Sequence, residues 1–290
     1  MPPKAISYRV KEGTTCPLCS FEYRREKLHS GGGRLIAGNL TKELRRLYQV
    51  SKKFGRVYPL AYEVSTCPNC LYSSYENDFN TLESGELQEL KAKSADRRMQ
   101  IEKILGPLDF NEDRNLVLGA ASYLLAIDCY QKRGIDVAPT PKKAISAMRG
   151  AWLFGDLHDE FPGKGFDKVQ SLLYMKAVGW YSPMLEIMST GSEAHDKFIR
   201  LLGPDTDKNW GFDGVIYLNG YLSNKYLDQI TTTEEQRIAI LERNKQHLGK
   251  LYGAGRSSSS KPSVIINLAK DLYEDISKQL EELKGTAEAT

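Results

Sequence analysis

Apolar and polar positions along this chain of 290 residues follow two different rhythms. In the first part, Ser7-Tyr8-Arg9-Val10-Lys11 alternates and predicts a short strand, and Val57-Tyr58-Pro59-Leu60-Ala61-Tyr62-Glu63-Val64 predicts another. Pro59 places the second at a sheet edge, because it has no amide to donate. Each segment leads into a Thr-Cys-Pro step. Between them Leu40, Leu44, Leu47 and Tyr48 recur at helical spacing, with Lys42, Arg45, Arg46 and Lys52 outside the stripe. That predicts a basic amphipathic helix over 39–53, capped by Asn39 or Thr41.

From about Phe79 the period is helical nearly to the end. Helices are predicted over 82–105, stopped by Gly106-Pro107, and over 115–133, ending at Gly134. Thr140-Pro141 opens the next, with Thr as cap and Pro in the first turn. Others cover about 167–188, 212–227, 233–252 and 263–283, with 255–262 as a mobile loop and 285–290 as a disordered tail. Small residues stand beside aromatics in Ala120-Ala121-Ser122-Tyr123, Gly150-Ala151-Trp152 and Gly179-Trp180-Tyr181. Such a rhythm suits stacked helical hairpins resembling tetratricopeptide repeats, although its spacing is irregular and a plain helical bundle produces it too. The expected fold class is mainly α. A small zinc-ribbon-like β module at 1–78, with the basic helix inserted, precedes an α-helical hairpin array at 79–290.

An apolar fraction of 41% and a charged fraction of 27% are those of a soluble globular protein. No apolar stretch follows the charge of the first residues, so no export leader is expected, and no run is long enough to cross a bilayer. The expected compartment is the cytoplasm, where paired cysteines bind metal more often than they form disulfides. A net charge of +3 conceals an asymmetry. Residues 1–66 hold 13 Lys/Arg against 5 Asp/Glu, and the remainder holds 27 against 32.

Cysteine placement changes the picture most. Cys16-Pro17-Leu18-Cys19 and Cys67-Pro68-Asn69-Cys70 use four of the five cysteines. Two such turns supply a complete tetrahedral set of thiolates, and a saturated ion holds a shape rather than performing chemistry. Zn2+ is favoured over iron, because tetrahedral thiolate suits it and it needs no redox partner, while iron in a rubredoxin-like site uses very similar turns. The 47 residues between the pairs add closure entropy that grows only logarithmically with length. Zinc binding in small modules, worth about 10–16 kcal/mol, exceeds it. Lys11, Arg24, Arg25 and Lys27 are expected to offset the charge of the thiolate site. Cys129, on an apolar helix, is read as a core residue.

Arg45, Arg46, Lys52, Lys53 and Arg56, interleaved with tyrosines, form a candidate nucleic-acid surface, against which stands a solvated face. Trp152, Trp180 and Tyr181 are candidate anchors for a protein partner, against which stands core packing. Residues 155–160 read as a polar loop at a helix end, and the four histidines show no ligand or triad spacing. No catalytic motif is present, which leaves enzymatic activity open without favouring it. The function expected is a non-enzymatic structural-zinc protein whose helices bind another protein. A nucleic-acid-binding zinc ribbon is the first alternative and an iron electron carrier the second.

The runs Cys16-Pro17-Leu18-Cys19-Ser20-Phe21 and 59–72, with Phe79 just after and 217–222 later, resemble an uncharacterised bacterial domain-of-unknown-function family. Its members have two Cys-Pro-x-Cys knuckles followed by helices that look like tetratricopeptide repeats. The resemblance implies a bacterial cytoplasmic metal-binding protein and lends no activity. Such knuckles commonly place Gly after the second Cys; here Ser20 and Leu71 stand there.

Overall fold

The computed structural model describes residues 5–29, 31–203, 210–255 and 263–287. Its short strands pair two by two. β1 (Ser7–Arg9) runs antiparallel to β4 (Glu26–Leu28), β2 (Thr14–Thr15) to β3 (Glu22–Tyr23), and β7 (Val64–Thr66) to β8 (Ser73–Tyr75). β5 (Ala37–Leu40) pairs with β6 (Arg46–Tyr48), and no pair joins another into a wider sheet among the described residues. The rest is helical: α1 (Ser84–Ala92), α2 (Ser94–Leu105), α3 (Leu116–Tyr130), α4 (Pro139–Glu160), α5 (Phe166–Thr190), α6 (Gly211–Lys225), α7 (Leu227–Ile230), α8 (Glu234–Gly255) and α9 (Ser263–Ala287). The protein is mainly α.

Two compact units divide the chain, one made of residues up to Asn39 and Arg46–Lys176, the other of Leu40–Arg45 and the residues from Ala177 on. In the first, α3 is the hub. It packs on α2, α4, both strands of the β7–β8 pair and the Pro59–Tyr62 turn. Asn115 starts it by accepting the Leu118 amide on its side chain at 2.9 Å. Its small residues permit the approach: a Cβ on Gly119 would lie 2.6 Å from that of Ala61. In the second unit α6, α8 and α9 pack on one another. Ile265, Ala269, Leu272, Ile276 and Leu280 form the buried stripe of α9, as their spacing predicts. The Leu40–Arg45 tip is fixed there by the Tyr217 hydroxyl, which donates to the Lys42 carbonyl at 2.8 Å, and by a Lys225–Glu43 ion pair at 2.7 Å.

Several local expectations are corrected. The segment 39–53 is not a helix: it is the turn and second strand of the β5–β6 pair. The Thr41 hydroxyl accepts the amides of Glu43 and Arg45 at 3.2 and 3.1 Å, which closes a tight turn, and Leu44 sits at φ 58°. Local side-chain capping of this kind competes with helix formation. In 57–64, Pro59 opens a single 3-10 turn, Pro59–Tyr62, and the strand starts only at Val64. The fixed φ of proline suits the first turn of a helix. Residues 82–105 form two helices divided at Lys93. Pro139, not Thr140, begins α4, after Ala138 at φ 49°. Residues 155–160 are the last turns of α4, and 285–287 stay helical. The loop expected at 256–262 and the tail at 288–290 lie outside the described residues.

Candidate metal centre

Each Cys-Pro-x-Cys turn closes a strand pair, β2–β3 for the first and β7–β8 for the second. The two are built alike. The Cys16 amide donates to the Phe21 carbonyl at 2.9 Å and the Ser20 amide to the Cys16 carbonyl at 2.9 Å. In the second turn the Cys67 amide donates to Tyr72 at 2.9 Å and the Leu71 amide to Cys67 at 3.0 Å. Both turns demand a left-handed residue after the second cysteine, and Ser20 at φ 59° and Leu71 at φ 58° supply it. Glycine adopts that conformation without strain; these residues do not.

The four ligand sulfurs of Cys16, Cys19, Cys67 and Cys70 lie within 4.8 Å of one another. Sγ of Cys16 is 3.6 Å from that of Cys70, and Cys19 is 3.6 Å from Cys67. Tetrahedral geometry with bonds of ~2.3 Å separates neighbouring sulfurs by about 3.8 Å, so the donor set fits a thiolate-bound ion. All four thiols are unbridged. They could not all ionise without a cation. Hydrogen bonds from Cys67 and Cys70 pull Cys16 down to about 4, and the same contacts push Cys67 and Cys70 up. A divalent ion removes that conflict.

The surroundings are apolar and tightly joined to the helices. Leu18, Tyr72, Phe79, Leu90 and Cys129 share one buried cluster with Cys16, Cys67 and Cys70. Leu71 points the other way, into Ile101, Phe110, Leu118, Ala121 and Leu125. Cys129 accepts the Ser73 amide at 3.4 Å, and burial pushes its thiol up to about 11, which suits a core residue rather than a fifth ligand.

The cations that reach the second knuckle are not the expected ones. Arg25 and Lys27 pair with Glu76 at 3.1 and 2.9 Å. Arg98 on α2 instead donates to the carbonyls of Pro68 and Asn69 at 3.3 and 2.8 Å, and Arg97 donates to that of Cys70 at 3.3 Å. Arg133, at the end of α3, donates to the Tyr72 hydroxyl at 2.9 Å. These guanidiniums lie far along the chain from what they hold, so sequence spacing offered no sign of them.

None of the other candidates is among the residues packed around the sulfurs. Arg45 and Arg46 are half-buried, and Arg46 donates to the Gly38 carbonyl at 2.8 Å. Lys52, Lys53 and Arg56 are exposed, with Lys53 over the Phe54 ring and the Arg56 cation strengthened by a hydrogen bond with Tyr58. Trp152 is 6% exposed and Tyr181 4%, so both fill interior space, and Trp180 is half-buried.

Comparison with known proteins adds three findings. The model of a family described as "Uncharacterized protein conserved in bacteria (DUF2225)" matches residues 10–276. A protein of Borreliella burgdorferi described as "Uncharacterized protein" is 37% identical over 281 residues, which are 97% of this chain and 100% of that protein. No solved structure matches the chain. Among the described residues no helix is long and apolar enough to cross a membrane.

Proposed function

We propose, for a chain that belongs to the DUF2225 family of proteins conserved in bacteria, a structural zinc site in a non-enzymatic, cytoplasmic protein whose helices bind another protein. The observation that carries the metal reading is the convergence of four sulfurs from two knuckles within 4.8 Å. Zinc suits a thiolate-only, tetrahedral set better than magnesium or calcium, which prefer oxygen, and unlike iron it brings no redox chemistry to a buried site. Bound there, the ion supplies charge neutralisation and a crosslink. Cys16 and Cys19 would hold it against Cys67 and Cys70, joining two strand pairs that are otherwise separate ladders. The protein's own groups complete the clamp through Arg97 and Arg98 on the knuckle carbonyls.

The test is elemental analysis of the full chain purified without added metal. One zinc per chain is expected, with none after Cys16→Ser or Cys67→Ser. In both variants far-UV circular dichroism should keep most of its helical signal, because α4 to α9 do not contribute to the apolar cluster around the sulfurs. A red protein containing iron would replace this reading with electron transfer.

The scaffold reading is supported by helices that pack in sequence-adjacent pairs, α3 on α4 and α8 on α9, as hairpin arrays do. Affinity capture of the full chain from its native cell should retain one protein partner in a salt-insensitive manner. Salt-dependent retention of RNA or DNA, lost on Lys52→Glu, Lys53→Glu and Arg56→Glu together, would favour the nucleic-acid alternative instead.

A further inference from the structure

Within the second unit, α5, α6 and α8 line a cavity of about 570 Å3. That size falls inside the range of small-molecule sites. Its walls carry opposite charge. Arg243 and Lys250 stand seven positions apart on α8, two turns along one face, with His247 between them. Across the cavity Glu186 comes from α5 and Asp213 from α6. Arg243, Lys250 and Glu186 make no ion pair within 4.0 Å among the described residues. Two cations and one carboxylate, Glu186, thus stand around one space without pairing with each other, which makes the space dipolar.

A second observation points to an occupant. Asn219 on α6 lines the same cavity and is only 2% exposed, yet its Oδ1 is enclosed with no hydrogen-bond donor. The His247 Nδ1, on the opposite wall, is likewise without a partner. Buried polar atoms are nearly always satisfied, and an exception calls for a group that belongs there. Leu185, Ile216 and Leu251 add an apolar lining, together with Phe212, which is 40% exposed.

We propose that this cavity binds a small zwitterion with an apolar side chain, of amino-acid to dipeptide size. Its carboxylate meets Arg243 and Lys250, its ammonium meets Glu186, and a ligand N–H reaches the Asn219 Oδ1. A simple anion would gain from α8 and be repelled by the facing carboxylates; a simple cation would meet the reverse. Only a ligand that carries both charges matches both walls. The proposal is independent of the zinc reading, since no residue of the metal centre lines the cavity.

The experiment is isothermal titration of the full-length, metal-loaded protein with L-leucine, L-phenylalanine and the dipeptide Leu-Leu. The controls are N-acetyl-leucine, which lacks the ammonium, and leucinamide, which lacks the carboxylate. At least one zwitterion should bind, and its single-charge analogues should bind at least about tenfold more weakly. Whether leucine or Leu-Leu binds separates a free amino acid from a short peptide. Arg243→Gln with Lys250→Gln should erase the preference over leucinamide, and Glu186→Gln the preference over N-acetyl-leucine, with melting curves unchanged. The proposal is overturned if no zwitterion binds up to about 10 mM, a free energy of only ~2.7 kcal/mol. Equal binding of N-acetyl-leucine and leucine would also overturn it, as would variants that bind like the parent protein.

Discussion

Replacing Leu71 by glycine sets two effects against each other at one position. At φ 58° a residue with a Cβ is strained by about 1–2 kcal/mol, which glycine relieves. Yet Leu71 is fully buried among Ile101, Phe110, Leu118, Ala121 and Leu125, and removing such a side chain costs about 2–5 kcal/mol. Packing wins, so Leu71→Gly should destabilise by about 1–4 kcal/mol. Leu71→Ala keeps the strain and loses most of the packing, so it should be no more stable than Leu71→Gly, whereas at an ordinary position glycine is the worse by roughly 0.5–1 kcal/mol. Ser20 is the internal control. It has the same backbone conformation, at φ 59°, but an exposed side chain. Ser20→Gly relieves the strain, loses some chain entropy, and should stabilise by about 0.5–1 kcal/mol. Denaturant unfolding followed by circular dichroism, with metal content measured for each variant, gives the comparison. A Leu71→Gly protein as stable as the parent would refute the idea that this side chain anchors the knuckle. A strongly destabilised Ser20→Gly would refute the strain reasoning.

The remaining predictions concern other joints of the first unit. Arg97→Met removes a donor to the Cys70 carbonyl and should cost about 1.5–3 kcal/mol, with faster loss of metal to a chelator; unchanged release kinetics would count against the clamp. Gly119→Ala forces a methyl to within 2.6 Å of Ala61 and should destabilise by about 1–3 kcal/mol, read as a lowered unfolding midpoint. Burial pushes the phenols of Tyr72, Tyr75 and Tyr130 above their ordinary value. The folded state then retains protons that the unfolded chain releases above about pH 10, so stability is full below that pH and falls as pH rises past it. The last part of the absorbance rise at 295 nm, from these buried phenols, should come only with loss of ellipticity; ionisation of all 16 tyrosines in a still-folded protein would contradict this.

The convergence of the four cysteines was legible because cysteine is rare here and the Cys-Pro-x-Cys spacing has few other uses. Helix α9 was legible because it buries one stripe, Ile265 to Leu280, so its burial carries the 3.6-residue period into the sequence. The stretch around Leu44 misled for a related reason. Its apolar residues recur every three or four positions, but they do so across a turn that Thr41 closes through its own hydroxyl, and only the pairing partner reveals that. Pro59 told the truth about a missing donor and was misplaced only because a 3-10 turn and a sheet edge tolerate it equally. Arg97 and Arg98 were invisible on principle. Nothing near them hints at a bond to carbonyls roughly thirty positions earlier, and a buried arginine on a polar helix looks like any solvated one.

The 54-residue separation between Cys16 and Cys70 has a consequence during synthesis. At ~5–20 residues per second, the ribosome needs about 3–11 s to deliver the second pair of sulfurs after the first. Throughout that interval the nascent chain displays a bare dithiol able to pick up the wrong ion or an oxidant. On the zinc reading, fidelity of loading is therefore set by the cell's thiol and metal buffering in those seconds rather than by the finished cage.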